Sequence, residues 1–133
     1  MPKSTGRHVT PGASLRFIVS TEQLDSGAPL VSVSGEVDLA TAPVLERSLI
    51  QAAEHRTGNV IVDLTRCTFL DSKGLAALLA TRARLARANR VLALILSGPT
   101  VVKIFEITGL DHLFDIYPTL TMAIQGEPAR ATG

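Results

Sequence analysis

The residues best suited to chemistry stand together as Asp71, Ser72, Lys73 and Gly74, inside the stretch TFLDSKGLAALLA over positions 68–80. Here an apolar strand end gives way to an alanine- and leucine-rich segment. A serine at such a junction has two roles open to it. It caps the helix, serine being among the commonest N-caps, or it is the group on which the protein is switched. A helix N-terminus presents free N–H groups and partial positive charge, which suit a capping hydroxyl and a phosphate alike. Gly74 keeps the first turn bare, so that another molecule can approach the backbone.

Other reactive types give less. Cys67 falls in the link ahead of this junction. An exposed thiol beside a helix N-terminus is reactive, whereas a buried one is a small filler. As the single cysteine it excludes an internal disulfide, and no CxxC pattern exists. His8, His55 and His112 are scattered without metal-ligand spacing. The basic run RARLARANR is interleaved with Leu85 and alanines rather than aromatics, which reads as a solvated helix face. There is no phosphate loop, no GxSxG and no paired-carboxylate signature. The expectation is a protein without catalytic residues, metal or cofactor.

The elements that must position Ser72 follow from periodicity. At 133 residues and net charge +1 the chain is most simply one domain, with nothing demanding nucleic acid or a membrane. The N-terminus lacks an apolar signal core and apolar runs are short of a membrane span, so the expected location is cytoplasmic. Residues 1–13 and 126–133 read as flexible tails around a domain at 14–125.

SLRFIVST and LVSVSGEV alternate apolar and polar residues and make an initial hairpin around the turn signal SGAP. A helix follows, with Thr41 as N-cap, Pro43 in its first turn, His55 and Arg56 in its last and Gly58 as its stop. NVIVDL is a buried strand ending near Leu64, joined to Ser72 by a short link. GLAALLATRARLARAN is the second helix, with Leu75, Leu78, Leu79, Leu85 and Ala86 inward. VLALIL is another buried strand. TVVKIFEITG is a helix capped by Thr100 and stopped by Gly109, LFDIY is a fifth strand, and LTMAIQ opens a last helix. The order predicts an α/β domain: a mixed central sheet of about five strands with about four helices, mainly on one face.

On the second helix Ala76, Ala80, Ala83 and Arg87 continue the face of Ser72 at intervals of three and four. Small side chains there admit a partner's backbone, or are simply good helix formers.

Two stretches, SGEVDLATAPVLERSL and VDLTRCTFLDSKGLAALL, resemble the motifs of the STAS domain, and more narrowly those of bacterial anti-sigma factor antagonists. KIFEITGLDHLFDIYPTLTMAI is similar to the C-terminal run of the same family. The resemblance covers about residues 14 to 125. It implies that Ser72 is phosphorylated by a partner, an anti-sigma factor that is also a serine kinase. Unphosphorylated antagonist binds that partner and frees the sigma factor; phosphorylated antagonist is released, and a phosphatase resets it. The protein itself would catalyse nothing, ATP and magnesium belonging to the kinase. Asp38, matching the aspartate of the family's G-E-[LV]-D motif, is expected near Ser72 or against the kinase, or else as a pre-cap of the first helix. Asp71, Ser72, Lys73, Gly74, Ala76 and Ala80 complete the expected partner surface, Asp71 also fitting an Asx-type turn.

Lys73 departs from the family pattern, which has Ser or Thr there. It pairs with a phosphate on Ser72, or matches an acidic patch on one particular kinase, or blocks docking, or extends into solvent. Two alternatives therefore stay beside the switch: a STAS interaction or scaffold module without phosphorylation, and a small-ligand sensor using a pocket near the 34–41 and 64–73 loops.

Overall fold

The computed structural model describes residues 8–9, 17–54 and 58–132. In its sheet the spatial order of six strands is their chain order. β1 (His8–Val9), β2 (Phe17–Gln23) and β3 (Pro29–Val37) pair antiparallel. β3 then pairs in parallel with β4 (Val60–Leu70), followed by β5 (Leu92–Ile95) and β6 (Asp115–Tyr117). Helices α1 (Ala42–Glu54), α2 (Ser72–Ala86) and α3 (Pro99–Thr108) connect the parallel strands, and α4 (Leu120–Thr132) follows β6. The mixed sheet and four helices are those the alternation implies. The sixth strand is the two-residue β1, inside the segment expected as a tail, and α4 runs on through residues expected as the other tail.

The two faces of the sheet are covered unequally. Val19, Val31, Val33, Val62, Leu64, Leu92 and Leu94 point toward α1, α2 and α3, where they meet Leu45, Leu49, Leu78, Leu85, Val101 and Phe105. Leu30, Ile61, Ala93 and Ile95 point the other way, onto Ala123 of α4. β5 is therefore buried on both faces, which is why it reads as a continuous apolar run. Phe105 and Phe114 close one end with an edge-to-face contact at 5.8 Å.

β4 does not end near Leu64 but continues to Leu70. The polar residues after Leu64 look like a link, yet they stay paired with β3. The register advances from Asp63 to Arg66 against Ser32 to Ser34, and from Cys67 to Phe69 against Gly35 to Glu36. Each shift takes up one extra β4 residue as a bulge. Gly35, at φ +100, supplies a backbone conformation that other residues resist beside the second shift.

Two helix caps also differ from the sequence reading. α3 begins at Pro99 with Gly98 in the cap position, so Thr100 lies one residue inside; Gly109 ends it in the left-handed conformation, as expected. Thr41 directly precedes α1, as expected, but its hydroxyl is bonded within the turn from Asp38 rather than to an α1 N–H. The Asp38 carboxylate accepts from the N–H groups of Ala40 and Thr41, both at 3.0 Å, and the Thr41 hydroxyl accepts from the Asp38 N–H at 2.8 Å. This reciprocal arrangement has the pattern of a capping box, on the turn that leads into α1. His55 and Arg56 lie outside the described residues.

Candidate functional site

The parallel pairing of β3 and β4 brings the two motif segments together. Val37 stands opposite Leu70, and the Asp71 N–H donates to the Val37 carbonyl at 2.9 Å, one rung beyond the strands. Asp38 and Asp71 thus leave the sheet side by side, each at the start of a helix.

Asp71, not Ser72, caps α2. Its backbone is extended and its carboxylate accepts from the Gly74 N–H at 3.0 Å. Ser72 is consequently the first helical residue. Its side chain is exposed and makes no hydrogen bond among the described residues. The Ser72 and Lys73 N–H groups lie in the first turn, where a helix has no internal acceptors for them.

Asp38 is occupied by its own turn. Hydrogen bonds from the Thr41 N–H, and next from the Thr41 hydroxyl, hold its carboxyl below the ordinary value. The Thr41 hydroxyl also lies 2.9 Å from the Glu36 carbonyl. Strand register puts Asp38 beside Asp71, next to Ser72, and its hydrogen-bond partners among the described residues all belong to the turn that leads into α1.

Gly74 faces inward, contrary to the expectation of a bare surface for a partner. It is buried, and a Cβ at this position would lie 2.6 Å from Leu70 Cδ1 and 2.7 Å from Val37 Cγ1. Its missing side chain lets α2 approach the strand ends. Cys67 is likewise not in an exposed link. It lies on β4, buried, with its thiol donating to the Phe69 carbonyl at 3.2 Å, and desolvation pushes its pKa from 9.0 up to about 11. A thiol so raised is a poor nucleophile.

Ala76, Ala80, Ala83 and Arg87 are exposed, as their spacing with Ser72 predicts. Ala86, expected inward, is exposed as well. Beside Ser72 opens a cleft of about 430 Å³ between α1 and α2. Ala76, Ala77, Ala80 and Lys73 form one wall, and Leu39, Ala42, Pro43 and Glu46 form the other. Sequence reasoning assigned no role to Leu39, 70% exposed, or to Glu46. A signal was present: positions 39, 43, 46 and 50 recur at the same intervals of three and four as the residues on the face of Ser72.

A second depression of about 380 Å³ lies on the far face of the sheet, lined by Ser20, Ser32, Ser34, Asp63, Thr65 and Arg66 among others. Among the described residues no three His, Cys, Asp or Glu side chains cluster to hold a metal, and no helix is long and apolar enough to cross a membrane.

This fold, with an exposed serine at the junction of a bulged strand and a docked helix, is a STAS domain: the family model matches residues 20–123, and the chain belongs to that family. Its relatives are regulators. The anti-sigma-F factor antagonist RsfB of Mycobacterium tuberculosis is 29% identical over 101 residues, covering 76% of this chain and 82% of that protein. The crystal structure of an anti-sigma factor antagonist from Mycobacterium paratuberculosis superposes with a TM-score of 0.78 at 32% identity, over 87% of this chain and 98% of that one. The Bacillus cell fate determinant SpoIIAA, solved in its phosphorylated form, shares the fold at a TM-score of 0.63 and 21% identity, over 80% of this chain and 96% of its own.

Proposed function

We propose that this chain is an anti-sigma factor antagonist switched at Ser72. In this reading it binds an anti-sigma factor in the cytoplasm and frees the sigma factor. The anti-sigma factor, acting as a serine kinase with its own ATP and magnesium, phosphorylates Ser72 and thereby releases the antagonist. A phosphatase restores it. The chain performs no catalysis.

The observation that carries this reading is the division of labour between Asp71 and Ser72. Asp71 supplies the cap, so the ordinary structural reason for a serine at this position is already met by its neighbour. The Ser72 side chain is exposed, and it directly precedes Lys73, which lines the α1–α2 cleft. RsfB and the M. paratuberculosis protein, both named anti-sigma factor antagonists, supply the partner class. The SpoIIAA structure supplies a precedent for phosphorylation on this fold.

The energetics agree. A phosphate adds about −1.5 to −2 charges. Two like unit charges 4 Å apart repel by about 4 kcal/mol at an effective dielectric near 20, and about 1.4 kcal/mol changes affinity tenfold. The helix N-terminus returns only about 0.3–1 kcal/mol to the modified chain. Phosphorylation is therefore tolerated by the fold and not by a complex centred on Ser72.

The test is to incubate the purified chain with the source organism's anti-sigma factors and Mg-ATP and to measure intact mass. One added phosphate is expected, absent from Ser72→Ala. A phosphate mapped elsewhere, or none with any kinase, would leave a STAS interaction module without this switch, the reading that Lys73 keeps open.

A further inference from the structure

The α1–α2 cleft is lined mostly by apolar side chains and carries one charge of each sign, one on each wall. Lys73 comes from the first turn of α2, next to Ser72, and Glu46 from α1 across the gap. Neither takes part in an ion pair among the described residues, with each other or with any third group. Ala42, Ala76, Ala77 and Ala80 between them leave room for a partner's side chains, and Leu39 and Pro43 extend the apolar wall.

A charge covered by a partner and left without a counter-charge is costly to desolvate. A partner that closes over this cleft therefore has to answer both charges. Resting on the proposed switch, we infer that Lys73 and Glu46 set the polarity of the partner segment. The occupant is an amphipathic segment of the anti-sigma factor. It lays apolar residues against the alanines, a carboxylate against Lys73 and a cation against Glu46. A segment with the reverse polarity meets two like-charge contacts and is rejected, a repulsive contribution to specificity.

The same arrangement gives Lys73 a part in release. A phosphate on Ser72 sits one residue from the lysine, on a helix N-terminus. It draws the ammonium group to itself by charge-assisted hydrogen bonds and repels the partner's carboxylate from the same place. Partner and phosphate thus compete for one cation. A small hydroxyl residue at position 73 would leave only the repulsion.

The experiment measures dissociation constants by calorimetry, using whichever purified anti-sigma factor of the source organism binds the unmodified chain. Its variants are Lys73→Thr, Lys73→Glu, Glu46→Lys and Ser72→Asp, each first checked for an unchanged thermal melt. Lys73→Thr and Glu46→Lys are each expected to weaken binding about tenfold, and Lys73→Glu about a hundredfold, with a shallower salt dependence throughout. Ser72→Asp is expected to lose less affinity in the Lys73→Thr background than alone. Reversing an acidic residue of the partner should restore binding to Lys73→Glu. If Ser72→Asp weakens binding while the Lys73 and Glu46 variants match the parent at every salt concentration, the polarity inference fails and the switch stands. Ser72→Asp without effect, or no anti-sigma factor that binds, removes the switch itself and this inference with it.

Discussion

At the scale of single residues, two neighbours with similar capping ability have separate duties. Asp71 holds the Gly74 N–H, and Ser72 holds nothing among the described residues. Replacing Asp71 by Ala is expected to destabilise the domain by about 1 kcal/mol, the usual cost of a lost cap. Ser72→Ala is expected to stay within about 0.5 kcal/mol of the parent, as for other surface changes. Urea denaturation of both variants measures the difference; a larger loss at Ser72 would return the cap to serine. The sequence alone leaves this assignment open, because aspartate and serine are nearly equivalent N-caps and occupy adjacent positions. Which one caps depends on where β4 ends, and that depends on strand pairing. Cys67 was ambiguous for the same reason: in a link it is exposed, on β4 it is buried.

Among the elements, β4 and α2 position the site jointly. The bulges carry the strand to Leu70, and Gly74 lets the helix dock against Leu70 and Val37. Gly74→Ala removes a flexible residue from a helix, which alone favours folding by about 0.5–1 kcal/mol. Its Cβ, however, meets buried side-chain carbons at 2.6 and 2.7 Å. Overpacking of this kind costs about 1–3 kcal/mol. The expected result is a net loss of stability, together with a smaller effect of Ser72→Asp on partner binding as the first turn of α2 is displaced. A melt no lower than the parent's would show that Leu70 and Val37 yield freely. Helices and buried strands were legible because their apolar periods are long. The bulges were not, since TRCTFL has neither a strand's alternation nor a helix's period, and its pairing depends on β3.

At the scale of the whole molecule, the pH dependence of stability has one identifiable alkaline component among the described residues. The Cys67 thiol titrates near 9.0 ordinarily and near 11 when folded. Below pH 9 both states are protonated and its full contribution is present. Above it the unfolded chain loses its proton first, so stability falls as pH rises toward 11. The loss is on the order of 2 kcal/mol across that interval. Cys67→Ala is expected to flatten the alkaline limb relative to the parent in denaturation at pH 8, 9 and 10. Parallel limbs for the two proteins would show that the thiol is hydrated in the fold. Fold class was readable at this scale because strand-helix alternation after an initial hairpin leaves few architectures open. The α1–α2 cleft was not, because its two walls belong to segments about thirty residues apart in a sequence of 133.

The paired bulges in β4 also decide where this chain tolerates a change of length. A residue deleted between Arg66 and Phe69 can be absorbed by straightening the strand, with the next helix leaving the sheet as before. A residue deleted early in α2 has no such slack. Everything after it turns by about 100° around the helix axis, carrying the alanines out of line with the serine they accompany. Related chains that vary in length should do so in the strand and keep an unbroken count along the helix.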